Sequence, residues 1–423
     1  MSYLPTLIER TVCSSGLLRS YAPRRLPLRR LTEPIRLLKQ LIPRAALGSR
    51  LLTGGPGERV PVSFSLRAHA RRGEYPFVTI YPAEWHTFGL PVTISRGLPR
   101  DFRLPPTICV PPAGIAVLPD GPLLGTNGAV AGREGTIVLD VSPTLGLGKP
   151  VNCYRGSGLP RPRERLPGAV ATVASPGAGN FYHFLFDLLP RLHLLEVGGY
   201  DESTLDSIVI NPIVEPFLLE LLGHFSFPTQ IYRETTADYS VVAESLIVPT
   251  LPRQFVRGNW VYRSLRERFR RYDEQSGSTP RVYISRARAA GRRLRKTARF
   301  RRILRDRGFD EVILEELAFI EQVQVVAQAD VVMGDHGAGL SHIVFCKPDA
   351  QVIEILSPAW PRPHFWAIAS QLDLRYYCLF GDRPVRSVRA RHWGHTADFW
   401  VGEDQLERLL DQVELERLNR HPG

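Results

Sequence analysis

The stretch Asp330-Val331-Val332-Met333-Gly334-Asp335-His336-Gly337-Ala338-Gly339-Leu340 decides how this chain is read. Residues 330–334 hold a short apolar run that ends in glycine, the pattern of a buried strand. Gly337 and Gly339 then permit tight turning and close backbone approach, and residues 340–346 read as a helix. Strand, glycine turn and helix in this order are part of a parallel βαβ unit. The first N–H groups of such a helix point past the carboxyl edge of the strand, where an anion is well placed, and His336 adds a donor. The spacing is neither that of a dinucleotide loop nor that of a Walker loop. From spacing alone, a plain turn with a structural histidine fits as well as an anion site.

The same rhythm continues on both sides of this stretch. Strands are expected at 281–285, 309–314 and 350–356, with helices at 298–307 and 317–329. Residues 280–390 therefore read as one Rossmann-like domain. A polar linker, 273–280, precedes it. Ahead of the linker lies another alternating set, with strands at 170–174, 207–210 and 245–249 and helices from Asn180, at 214–225 and at 260–272. This gives a first Rossmann-like domain over 166–272. Residues 58–165 look β-rich, with short apolar runs such as 108–110 and 136–139 between turn signals. Residues 1–57 form a basic leader in which Ile35, Leu37, Leu38, Leu41 and Ile42 sit near helical spacing. That stretch fits peripheral contact with an anionic membrane, or an ordinary surface helix. A last helix is expected at 403–418, within the C-terminal segment 391–423. The fold class is thus α/β, two Rossmann-like domains with a β-rich N-terminal part, a common plan for a ligand held between domains.

Composition narrows the partners. The chain has 423 residues, 43% apolar and 23% charged, enough for two or three domains with real cores. Cys13, Cys109, Cys153, Cys346 and Cys378 are odd in number and scattered, against a disulfide framework or a zinc site. With no run of roughly 20 apolar residues and no secretory pattern near the start, a cytoplasmic location is expected. The formal charge is +12, and all but four of the 54 basic residues are arginine. Arginine binds phosphate in a bidentate fork, so anions are the expected ligands. A nucleic-acid binder is one alternative, but basic patches interleaved with aromatics are missing.

Two further stretches carry chemistry. The strand 281–285 delivers Ser285 and Arg286 to the carboxyl edge of the sheet, where open α/β folds bind ligands, and Arg293 follows. The competing reading is that the arginines over 286–307 are a solvated helix face. The other stretch is Asn180-Phe181-Tyr182-His183-Phe184-Leu185-Phe186-Asp187-Leu188-Leu189-Pro190-Arg191. Asn180 is a natural helix cap, and positions 180, 183, 187 and 191 share one face. His183 and Asp187 at i,i+4 can hydrogen-bond, as a catalytic pair or as a satisfied structural one. There is no Asp-x-Asp, and no metal is expected.

Taken together, these motifs resemble glycosyltransferase family 61, as a bacterial-type member. The matches are Asn180, His183, Asp187, Pro190 and Arg191, then Ile284, Ser285 and Arg286, then Arg293 and Gln322. They continue through Gly334, His336, Gly337, Ala338, Gly339 and Leu340 to Phe345 and Glu354. Departures are Lys296-Thr297, where the family usually has Asn-Glu, and Ser341-His342, where it has Thr-Asn. The resemblance implies a GT-B architecture, its two Rossmann-like domains facing a cleft and the last helix crossing back to the first domain. It implies inverting, metal-independent transfer from a UDP-sugar co-substrate to a glycan or other hydroxyl acceptor, in surface polysaccharide or glycoconjugate synthesis. No separate cofactor is implied, and no nucleic-acid partner. Asn180, Ser285, Arg286, Arg293, His336, Gly337, Ala338, Gly339 and Glu354 would bind the donor. His183 or Asp187 would be the catalytic base. A degenerate member that binds nucleotide without transfer is the alternative.

Overall fold

A computed structural model describes residues 62–63, 66–95, 97–132, 135–142, 159–252, 255–269, 281–382 and 397–418. The basic segment 1–57 and the linker 273–280 fall outside them. The chain divides into two compact units, Met1–Ala83 with Pro111–Pro252, and Glu84–Val110 with Arg253–Gly423.

The first unit is built on β1 (Phe77–Tyr81), β2 (Ala113–Leu124), β3 (Glu164–Thr172), β4 (Ser207–Ile210), β5 (Tyr232–Glu234) and β6 (Ser240–Pro249). The strand order is β5-β4-β3-β6-β2-β1. The first four strands run parallel, while β2 and β1 continue the sheet antiparallel. Parallel strands are covered on both faces and so read as continuous apolar runs, as Ile208, Val209 and Ile210 do, all fully buried. The β-rich stretch 58–165 is therefore not one separate layer. Its longest strand, β2, pairs along nearly all of β6 and shares a core with Leu166, Val170, Val209 and Leu246.

The second unit carries β7 (Arg281–Ile284), β8 (Asp310–Val312), β9 (Val331–Asp335), β10 (Gln351–Leu356) and β11 (Arg375–Phe380). These form an all-parallel sheet in the order β8-β7-β9-β10-β11. Helices Ala298–Asp306, Phe319–Gln328 and His364–Gln371 connect successive strands. The segment 84–110 joins this unit through an antiparallel pair, Glu84–Thr87 with Thr107–Val110, and a bridge from Val92 to Tyr377. Helix Asn259–Phe269, expected in the first domain, also belongs here. The Asn259 N–H donates to Glu84 at 2.8 Å, and Phe269 packs edge-on against Phe319 and Phe345.

The last helix, Glu403–Leu418, has the expected bounds but a different place. Leu406, Leu409, Leu410 and Val413 form one stripe, buried with Tyr283, Phe300 and Leu304. Each such burial is worth about 1.5–3 kcal/mol. Arg299 reaches Asp404 and Glu407, and Arg307 reaches Asp411, so the helix closes the core of the second unit. Among the described residues, no helix is long and apolar enough to cross a membrane.

Candidate active site

In the second unit, β7 leads by one helix to β8 on one side, and β9 then lies on the other side of β7. The strand order thus reverses between β7 and β9, and the carboxyl ends of two such strands open a crevice. Ser285-Arg286 follow β7, and His336-Gly337 follow β9. A pocket with a cavity volume of ≈ 330 Å³ is lined by Arg286, Arg293, Arg295, Lys296, Arg301, Asp335 and Trp400, among others. Its five cations outweigh its single carboxyl. Burial pushes Asp335 up to about 6, and the Tyr283 hydroxyl donates to it at 2.9 Å.

The chain at Gly337 is extended, so its dihedrals would suit any residue. Space is what requires glycine here: a Cβ would lie 1.7 Å from Arg286 Nη1. Arg286 therefore packs on the turn itself, and its Nη2 donates to the Gly291 carbonyl at 3.1 Å. Arg292, at φ +56°, brings a second shielded guanidinium under the influence of the first. Burial, then repulsion from Arg286, lowers its pKa to about 10. The Nε of each is buried without a hydrogen-bond partner. Adjacent guanidiniums with unused donors suit an anion that accepts from both.

Beside them, His336 Nδ1 is hydrogen-bonded to Glu354, whose other oxygen accepts from the Tyr376 hydroxyl. His336 is 5% exposed and Glu354 is fully buried. Burial first, then the Arg292, Arg286 and Arg362 cations, hold His336 well below its usual range. Burial raises Glu354 to about 8. Glu354 thus stands behind His336, and neither is among the residues that line the pocket. Ser285 is buried too, and its Oγ accepts from Lys296 Nζ at 2.8 Å, which ties the family departure at 296 into the site.

Arg293 is expected, with Arg286, to bind the donor. It lines the pocket, but its guanidinium meets Asp398 at 3.1 Å, as does that of Arg295. Backbone hydrogen bonds between Arg293, Arg295 and Phe399 fix a short strap, 397–401, that carries Trp400 to the rim. The helix expected from Leu340 is a 3-10 helix beginning at Ala338, Ala338–Phe345. The Leu340 N–H donates back to Gly337, and a Cβ on Gly339 would lie 3.3 Å from Ile284. Gly339 thus lets this helix pack tightly on β7.

In the first unit, Asn180 Oδ1 caps the expected helix by accepting from the Tyr182 N–H at 3.0 Å. One helical turn follows, then a π segment, Phe184–Leu188, then helix Leu189–Val197. Single π turns frequently occur at functional sites. His183 Nδ1 lies 2.7 Å from Asp187 Oδ2. The imidazole is partly exposed while the carboxylate is buried, with side-chain exposures of 22% and 5%. Arg191 leaves the expected polar stripe. It is fully buried and donates to the Ala174 carbonyl at 2.6 Å and the Pro249 carbonyl at 3.2 Å. It ties the ends of β3 and β6 together, where the order of this sheet reverses.

Comparison with known proteins agrees with this picture over part of the chain. A beta-1,2-xylosyltransferase of Oryza sativa subsp. japonica, RCN11, is 44% identical over 59 residues, 14% of this chain and 11% of that protein. A beta-1,2-xylosyltransferase of Arabidopsis thaliana is 39% identical over 67 residues, 16% of this chain and 12% of that protein. The chain thus spans about a tenth of the length of these relatives. Residues 181–353 match the glycosyltransferase 61 family, a range that takes in the His183–Asp187 helix, Arg286, Arg292 and the His336 turn. The match to this family covers 173 of the chain's 423 residues.

Proposed function

We propose that the protein transfers a sugar from a nucleotide donor, UDP-linked, to a hydroxyl of a glycan or similar acceptor. The observation that carries this is the cation-lined pocket at the strand-order reversal of the second unit, within a family 61 domain. Arg286 and Arg292 hold the diphosphate, with Lys296 and Arg293 at its flank and the 337–339 turn beneath it. His336 donates a hydrogen bond. These fixed charges stabilise the leaving diphosphate as the glycosidic bond breaks, the task a metal performs in other transferases. Trp400 offers an aromatic face to the base.

The reaction is a single displacement with inversion. The acceptor oxygen bonds to the anomeric carbon, the carbon–diphosphate bond breaks, and the acceptor proton passes to His183 Nε2. Asp187, accepting from Nδ1, holds that imidazole in the required tautomer. Of the two expected bases, the partly exposed histidine is the better placed to meet an acceptor, and Asp187 positions it. The two units are read as the halves of a GT-B plan, with Asn180 and the His183 helix on the acceptor side. The site of action is read as cytoplasmic, with the basic segment 1–57 at the membrane surface, in glycoconjugate or surface polysaccharide synthesis.

The test is UDP release from a panel of UDP-sugars, with and without candidate acceptors. The relatives' names put a UDP-pentose first in that panel. Acceptor-dependent release supports the proposal. Tight UDP binding without release from any donor would leave a nucleotide-binding member that has lost transfer.

A further inference from the structure

The proposed site contains a buried carboxyl whose protonation state decides what His336 offers to a ligand. Glu354 lies on β10, in register with Gly334 of β9, fully buried beneath the cation cluster. One of its oxygens accepts from Tyr376, and the other faces His336 Nδ1. Among the described residues, no arginine or lysine forms an ion pair with it. A buried carboxylate without a cationic partner is costly, and the neutral acid avoids that cost.

Three arrangements of the pair are open to chemistry: an imidazolium with a carboxylate, a neutral Nδ1–H imidazole with a carboxylate, or a neutral imidazole with a carboxylic acid. The first places a third cation beside Arg286, Arg292 and Arg362. The second leaves an ionised carboxyl buried and turns a bare Nε2 lone pair outwards. We propose that the working form is the third: the Glu354 carboxylic acid donates to His336 Nδ1, so that His336 presents Nε2–H as a donor to the diphosphate. The proposal rests on the diphosphate reading given above. Its proton balance is simple: the acid proton sits between Glu354 and Nδ1, and the imidazole proton stays on Nε2. Glu354 is then a positioning residue, one step behind the ligand.

The groups facing the pair leave a clean window in which to test it. Tyr376 and Cys378 lie beside Glu354, and burial holds Tyr376 well above its usual range and Cys378 up to about 12. Arg292 stays cationic, at about 10. His364 faces the His336 ring at 5.9 Å, and the control below accounts for it. Asp335 titrates lower, near 6. Glu354, near 8, is thus the group that ionises between pH 7 and 9.

The experiment uses the full chain with ¹⁵N-labelled histidine, read by NMR, alongside UDP titrations from pH 6.5 to 9. At pH 6.5–7, His336 is expected to carry its proton on Nε2 with Nδ1 unprotonated, and to shift toward Nδ1–H above pH 8. Only the acid form binds well, so UDP affinity falls about tenfold between pH 7 and 9, as the protonated fraction drops to about a tenth. Glu354→Gln donates to Nδ1 at every pH and accepts from Tyr376, so both changes disappear in it. A fall that persists in Glu354→Gln, or a proton on Nδ1 at pH 6.5, overturns the proposal. If Glu354→Gln does not fold, Tyr376→Phe serves: losing that donor destabilises the carboxylate and moves the midpoint of the His336 change upwards, and a midpoint that stays or falls contradicts the idea. If UDP fails to bind at all, the diphosphate reading fails, while the NMR result still judges the tautomer.

Discussion

At position 292 the backbone takes φ +56° and the guanidinium is shielded beside Arg286, whereas Arg293 next to it is engaged by Asp398. Arg286→Ala and Arg292→Ala each remove charge-assisted hydrogen bonds worth about 1.5–3 kcal/mol, so UDP affinity is expected to drop about tenfold to a hundredfold. Arg293→Ala is expected to cost only a few-fold in the same titration. Gly337→Ala places a methyl against Arg286 Nη1 and should match the Arg286→Ala loss. Binding close to wild type in Gly337→Ala would mean that Arg286 is not needed where it lies. Position after a strand was enough to single out Ser285, Arg286 and His336 from sequence. Arg292 was not legible, because neighbouring arginines look alike until a backbone dihedral separates them. Glu354 was named only through the family resemblance, and its burial, which sets its role, was not legible.

Among the elements, the parallel strands were read most reliably, since runs such as 331–334 and 208–210 are apolar on both faces. The 3-10 helix after Gly337 and the π segment 184–188 were invisible, because their apolar residues also suit an α-helix. The strap 397–401 carries no apolar period, and it is held by backbone ladder bonds and by Asp398. Trp400→Ala on this strap is expected to weaken UDP about tenfold, within the roughly 1–3 kcal/mol range of base stacking, and to leave pyrophosphate binding unchanged. Equal losses for both ligands would contradict a stacking role. Arg191 offers a stability test in the first unit. Arg191→Leu leaves two buried carbonyls without their donor and should cost about 2–4 kcal/mol in denaturant unfolding, with little effect if those bonds matter less.

For the whole molecule, buried groups set the dependence of stability on pH. Glu354 is raised from an ordinary 4.5 to about 8, so its contribution is complete at low pH and is lost as pH rises through 8. Asp140 and Asp335, near 6, act in the same direction at lower pH. His336 and His342 are depressed, and their contribution is lost as pH falls below their ordinary range. Between pH 6.5 and 8 Glu354 acts with little opposition from these groups, and stability should fall by on the order of 1–2 kcal/mol. Thermal melts across that range check this, and Glu354→Gln should flatten them. The division of the chain was the least legible feature. The polar run 273–280 looked like a boundary, yet helix Asn259–Phe269 and segment 84–110 pack with the second unit through contacts distant in sequence.

The crevice between β7 and β9 is proposed as the seat of the diphosphate of a nucleotide-sugar donor. Calorimetric titration of UDP into the full chain at pH 7 and fixed ionic strength, beside the Arg292→Ala variant, tests it most directly. Saturable binding that weakens tenfold or more in the variant is expected. No binding by UDP or any other nucleoside diphosphate, or equal affinity in both proteins, would contradict it.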